Sequence, residues 1–151
     1  MRRFASLDEL TGAVGQQLGP GDWFTIDQAR VARFADATDD HQWIHLDQAR
    51  AAAGPYGGTI AHGFLTLSLL PALVGGLYRV DGVRMAVNYG LNRVRFPAPV
   101  RVGTAIRAGA VIASAEPVDS GAQLVLAVTV ESDAGGKPVC VAETVSRLYA
   151  G

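Results

Sequence analysis

The chain is poor in the residues that usually announce a chemistry: one cysteine, one lysine and three histidines among 151 residues. A single thiol, Cys140, excludes an internal disulfide. The longest run of apolar character, Phe64 to Val74, spans 11 residues and contains Pro71, whereas a membrane-spanning helix needs about 20. The N-terminus, MRRFASLDEL, acquires acidic residues before any apolar core forms, so it does not read as a secretory signal. Charge is scarce as well. Charged residues make up 18% of the chain, the net charge is −1, and the basic residues are scattered, which excludes the basic stripe of a nucleic-acid binder. Twelve of the thirteen basic residues are arginine, which decides nothing about function. What remains is 49% hydrophobic, too greasy for disorder and long enough for one domain, residues 1–151, with its own core. A cytoplasmic protein without nucleic-acid or membrane partners is expected.

The N-terminal third reads helical. Thr25-Ile26-Asp27-Gln28 fits a capping box, and Val31, Phe34, Ala35 and Thr38 follow helical spacing, predicting a helix from Asp27 to Ala37. A short helix is expected over Asp47 to Ala53, stopped by Gly54-Pro55, with GPYGG as a loop. From His62 to Val80 the chain is apolar on nearly every side, the signature of a buried helix, and Pro71 is expected to kink it. The second half alternates. Leu124, Leu126, Val128 and Val130 share one strand face, and Val139, Val141 and Val145 alternate with Cys140, Ala142 and Thr144. Turn signals at EPVDSG (116–121) and DAGGKP (133–138) separate these runs, while Arg84 to Phe96 reads as one or two further strands. The sum is an α+β domain in which one apolar helix lies against a curved antiparallel sheet.

One stretch concentrates proton-handling groups: TDDHQWIH, residues 38–45, with Asp39, Asp40, His41 and His45. Asp40 and His45 are five apart, and on a continuous helix they would diverge by about 140°. They converge only if the chain leaves the helix between them, and the helical pattern does run out near Asp39. A carboxylate and an imidazole facing one small volume are what proton transfer to and from a water requires. Three other readings stand beside this one. Asp39, Asp40 and His41 would merely solvate a helix end while His45 packs; His41 and His45, at i,i+4 spacing, would bind a metal with Asp40; or a Ser-His-Asp triad would operate, although no GxSxG is present.

TIAHGFLTLSLLP, residues 59–71, bears on the choice. Gly63 falls where a loop enters the apolar helix, where free N–H groups and the helix dipole favour developing negative charge. A glycine lets a ligand approach the backbone closely, as a thioester oxygen gaining enolate character would. The plainer reading is that Gly63 only permits tight packing.

FADATDDHQWIHLDQARAAAGPYGGTIAHGFLTLSLLP resembles the hydratase signature of the MaoC-like, (R)-specific enoyl-CoA hydratase family, and NYGLNRVRFPAPVRVG, residues 88–103, resembles the strand that follows its central helix. The likeness runs through essentially the whole chain and is strongest to the short, single-domain actinobacterial and mycobacterial members. It implies a hotdog fold, a long central helix wrapped by about five antiparallel strands, with two protomers pairing as a homodimer. It also implies reversible hydration of a trans-2-enoyl-CoA, or an acyl carrier protein thioester, to the (3R)-hydroxyacyl thioester, with neither cofactor nor metal. By matching position, Asp40 and His45 become the catalytic carboxylate and imidazole, with Asp40 favoured as base, and Gly63 the backbone donor to the thioester oxygen. Two departures stand out. Gln42-Trp43 occupy the place of a usual Asn-Pro, and Pro71 aligns near a small polar residue of some members.

Trp43, Tyr56, Ile60 and Phe64 are candidates to line an acyl tunnel, with Gln42 and His62 beside them at the substrate. Asn88 and Tyr89 are candidates for the pocket border. Arg93 and Arg95 share a strand face and would meet the phosphates of a coenzyme A or carrier-protein arm. Asp36 and Asp39 read as surface. The rival functions are a hotdog thioesterase and a non-catalytic acyl-thioester-binding subunit.

Overall fold

Ala122, Leu124, Leu126, Val128 and Val130 alternate along one strand, and all five are buried. Period-two alternation puts them on one face, and that face is the floor of the core. The structure, a computed structural model describing residues 1–151, runs in the order β1 (Arg2–Phe4), α1 (Leu7–Thr11), β2 (Gln17–Leu18), β3 (Phe24–Thr25), α2 (Gln28–Thr38), α3 (Trp43–Leu46), α4 (Gln48–Ala52), α5 (Gly63–Ser68), α6 (Leu70–Gly75), β4 (Tyr78–Val80), β5 (Val83–Arg95), β6 (Ala105–Val118), β7 (Gly121–Ser132) and β8 (Cys140–Ala150). The main sheet is antiparallel with strand order β2-β6-β7-β8-β5, and β3 also pairs with β6. Short β1 and β4 form a separate parallel pair.

Two sequence expectations change at this level, and β8 shows which of its alternating sets faces the core. Its inward residues are Cys140, Ala142 and Leu148, while Val145, also buried, lies on the other face opposite Val125. Register explains this. Cys140 and Ala142 lie opposite Val130 and Val128, and directly paired residues point to the same face. β6 continues through Val118, so only Asp119 and Ser120 make the reversal, with Ser120 left-handed at φ 62°. The cap of α2 is Asp27, whose carboxylate accepts from Arg30 N–H at 2.7 Å, while Thr25 is committed to strand β3. The expected capping box does not form, and the Gln28 side chain is released for another task.

The apolar segment is also shorter and less enclosed than its composition predicts. It breaks at Leu69, because Pro71 has no N–H for the Leu67 carbonyl, and ends at Gly75. Tyr78–Val80 leaves it to pair with β1. Leu65, Thr66, Leu69, Leu70 and Leu73 face the core, yet Phe64 is 68% exposed and Ser68, Pro71 and Ala72 are open. One sheet covers one side of a helix, so the apolar residues on the other side stay outside the protomer's core.

Candidate active site

Helix α2 ends with the Thr38 hydroxyl donating to the Phe34 carbonyl at 2.7 Å, and Asp39 then adopts a left-handed conformation at φ 58°, ψ 21°. This residue carries the chain out of the helix, so the angular argument that separates Asp40 from His45 no longer applies. Asp40 stands exposed in the loop, and the Gln42 N–H reaches its Oδ1 at 3.4 Å. Orientation by Gln42 is thus through the main chain, not through its amide side chain. α3, a single turn, then presents His45, which is 6% exposed.

The strap Thr59–His62 clamps that turn. Its backbone bonds to both sides, with Ile60 N–H to the Ile44 carbonyl at 3.0 Å and Ala61 N–H to the Val100 carbonyl at 2.8 Å. His45 Nδ1 donates to the Ile60 carbonyl at 2.7 Å. A carbonyl only accepts, so the neutral ring carries its proton on Nδ1 and leaves Nε2 bare. Gln28 completes the clamp. Its amide N–H donates to the His45 carbonyl at 2.8 Å, and its oxygen accepts from the Thr59 hydroxyl at 2.7 Å. Neither Gln28 nor Thr59 is singled out by sequence as part of the site; the only trace is a glutamine whose assigned cap partner is a strand residue.

One side-chain nitrogen or oxygen from each of Asp40, His45 and His62 lies within 4.8 Å of the others. The His45 and His62 rings stack at 3.7 Å with planes 22° apart, and His62 also packs against Phe34 at 4.9 Å. His62 Nε2 donates to the Asp40 main-chain carbonyl at 3.0 Å. Burial is the largest influence on His45 and holds its pKa below the ordinary imidazole value; the Ile60 bond opposes this, nearby His62 adds to it, and Asp40 opposes it. A lowered pKa favours the neutral ring, in which Nδ1 donates to Ile60 and Nε2 is an acceptor.

The His41/His45 metal reading fails on placement, because His41 turns to the surface and pairs with Asp36 at 2.9 Å. The cluster of Asp40, His45 and His62 is the alternative set. Imidazole lone pairs lie in the ring plane, and two nearly parallel stacked rings cannot aim them at one ion at about 2.0–2.1 Å. The geometry suits a small hydrogen-bonding molecule between a carboxylate and an imidazole better than an ion.

Gly63 opens α5 with its own N–H free of any backbone or side-chain acceptor, and His62 provides no side-chain cap. A Cβ on Gly63 would lie 2.8 Å from Phe96 Cδ2, so the glycine lets the Phe96 ring close over this helix start. The other sequence candidates are distributed more widely. Trp43 is half-buried beneath the Arg50 guanidinium at 4.2 Å and against Gly54. Tyr56 is exposed in the GPYGG loop, and Ile60 is buried, presenting its carbonyl to His45. Phe64 meets Phe96 edge-on at 6.2 Å. Asn88 and Tyr89 line a cavity of about 1240 Å³ between α5–α6 and the β5 and β8 strands; Asp40, His45 and Gly63 are not among its lining residues. Arg93 and Arg95 are exposed near the end of β5 and make no ion pair.

No helix is long and apolar enough to cross a membrane. The MaoC like domain model matches residues 9–136. The chain is 53% identical over 151 residues to 3-hydroxyacyl-thioester dehydratase Z of Mycobacterium tuberculosis, covering 99% of this chain and all of that protein. It is 42% identical over 148 residues to nodulation protein N of Rhizobium leguminosarum bv. viciae, covering 95% and 91% of the two. Among solved structures, R-hydratase PhaJ1 from Pseudomonas aeruginosa superposes with a TM-score of 0.76 at 25% identity, covering 98% of this chain and 88% of that one. With a helix lying on a curved antiparallel sheet and this match over most of its length, the chain belongs to the MaoC-like dehydratase family and has the hotdog fold.

Proposed function

We propose that the protein is an (R)-specific enoyl-thioester hydratase, a hydro-lyase that adds water reversibly to a trans-2-enoyl-CoA to give the (3R)-3-hydroxyacyl-CoA. The observation that carries this reading is the convergence of Asp40 and His45 from a loop and a separate helical turn, with His45 Nε2 bare. The substrate carbonyl accepts from the Gly63 N–H, which draws electron density away from C3. A water held between the Asp40 carboxylate and His45 Nε2 attacks C3, and its proton passes to Nε2. The resulting imidazolium returns a proton to C2 on the same face, and the enolate collapses to the hydroxyacyl thioester. One water is added, both side chains are regenerated, and no covalent intermediate or cofactor is needed. In this reading His45 takes the water's proton and Asp40 orients the water, the opposite of the roles favoured from sequence; the Nδ1 bond to Ile60, which leaves Nε2 bare, supports it.

The functional unit is a homodimer in this reading. Strand β5 is an open edge whose apolar residues Met85, Val87, Tyr89 and Leu91 are all exposed, and a second copy would cover them. Sedimentation at micromolar concentration should give twice the 15.8 kDa chain mass. The reaction itself is tested with crotonyl-CoA, following conjugation and free thiol together. Loss of conjugation without thiol release is expected. Thiol release instead would mean a thioesterase, and neither signal would mean a binding subunit.

A further inference from the structure

His62 is 3% exposed and its Nδ1 is enclosed without any hydrogen-bond partner. A phenylalanine would fill the same slot between Phe34 and His45 without orphaning a nitrogen, so packing alone does not explain an imidazole there. What an aryl ring lacks is the Nε2–H, and that proton goes to the Asp40 carbonyl at 3.0 Å. The same ring lies flat on His45 at 3.7 Å. A single side chain therefore touches both halves of the site: the backbone that carries the carboxylate and the face of the imidazole. Because it is 3% exposed, it touches both from the buried side.

We infer that His62 is a positioning residue: its Nε2–H fixes the loop bearing Asp40, and its stacked ring sets the plane of His45, so that the two groups share one water. This rests on the hydratase reading of the site. The loop needs such a tie, since Gln42-Trp43 lacks the stiffness a proline would give and the Gln42 N–H to Asp40 Oδ1 contact is long at 3.4 Å. Losing the tie leaves the substrate's binding groups in place, so the effect belongs in kcat.

Two variants separate the two contacts. His62→Phe keeps a stacked ring and removes the donor; His62→Gln removes the stack and keeps an amide N–H able to reach the Asp40 carbonyl. For His62→Phe we expect kcat to fall by about 10- to 100-fold with KM within about threefold, the scale on which misplacement by roughly 1 Å acts. His62→Gln, which keeps a donor but loses the stack, should also lower kcat with KM within about threefold. Wild-type kcat in either variant, or a change confined to KM, would overturn the assignment. A third measurement needs no variant: imidazole ¹⁵N shifts of the wild-type protein at alkaline pH should show His62 as the Nε2–H tautomer and His45 as the Nδ1–H tautomer. An Nδ1–H tautomer at His62 would refute the bond to Asp40 even if the variants failed to fold. A wild-type protein inactive on enoyl thioesters would remove the hydratase reading instead, and the tautomer result would still stand or fall independently.

Discussion

The chain contains two aspartate–histidine pairs of identical spacing, Asp36–His41 and Asp40–His45, four residues apart from each other. Asp36 starts on α2, and its carboxylate meets His41 Nε2 directly at 2.9 Å with both side chains in water. Asp40 starts beyond the left-handed turn at Asp39, and His45 is buried with its Nδ1 spent on a backbone carbonyl. The first pair bonds to itself and the second faces a shared space. For His41 the hydrogen bond to Asp36 comes first among the causes and raises its pKa; for His45 burial comes first and lowers it. Residue types and spacing are the same, so the difference lies entirely in which groups already have partners and which are kept from water.

The largest effect expected to sharpen this contrast is on turnover. Asp40→Asn and His45→Gln should each lower kcat by at least about 10²-fold, because each keeps shape and removes proton handling or charge. Asp36→Asn and His41→Gln should stay within about twofold, since an ion pair standing in water is screened and touches nothing in the site. Comparable losses in both pairs would break the comparison. Next in size is Gly63→Ala. The added Cβ must displace Phe96 from the helix start, and crotonyl-CoA kinetics should show kcat/KM falling by roughly 10-fold or more as the Gly63 donor shifts.

Gln28→Leu comes third and should register first in stability. It strands the Thr59 hydroxyl and the His45 carbonyl, which costs about 1–3 kcal/mol in chemical denaturation. The smallest effect is the pH response. Proton NMR should place the His45 midpoint below about 6.5 and that of His41 above it, and Asp36→Asn should bring only His41 back down. The stability consequences have opposite signs. A folded His45 that takes its proton later than the unfolded chain loses stability as pH falls below about 6.5. His41, with a raised value, contributes stability at acid pH that disappears as pH rises through its folded midpoint.

Where local pattern and tertiary demand coincide, the fold is legible residue by residue. The alternation in β7 marks its buried face correctly, Gly54-Pro55 follows the end of α4, and β5 fills almost the span read for it. Reading fails where a long-range partner outbids a local one. Thr25 looks like a helix cap, but an extended backbone paired to Ala105 claims it, and Asp27 caps instead. Tyr78–Val80 continues the stretch read as helix, yet β1 offers it hydrogen bonds. Among the candidate residues, Asp40 and His45 are legible because a carboxylate and an imidazole stand out by type, and Gly63 because it opens the apolar helix. Gln28 and Thr59, 31 residues apart, are not, because nothing local shows that one amide will bridge a hydroxyl and a carbonyl.

The sequence by itself determined that a carboxylate and an imidazole lie near the end of a helical pattern, that a glycine opens the next apolar segment, and that alternating residues build a sheet; each follows from residue chemistry within a few positions. Only the tertiary structure decided which aspartate–histidine pair bonds to itself in solvent and which faces a shared space. That choice depends on the strap Thr59–His62, which buries one imidazole, fixes its proton on Nδ1 and stacks a second ring behind it, while leaving the other pair in solvent. Solvation and hydrogen-bond partners are supplied by segments distant in the chain, and no local spacing encodes them.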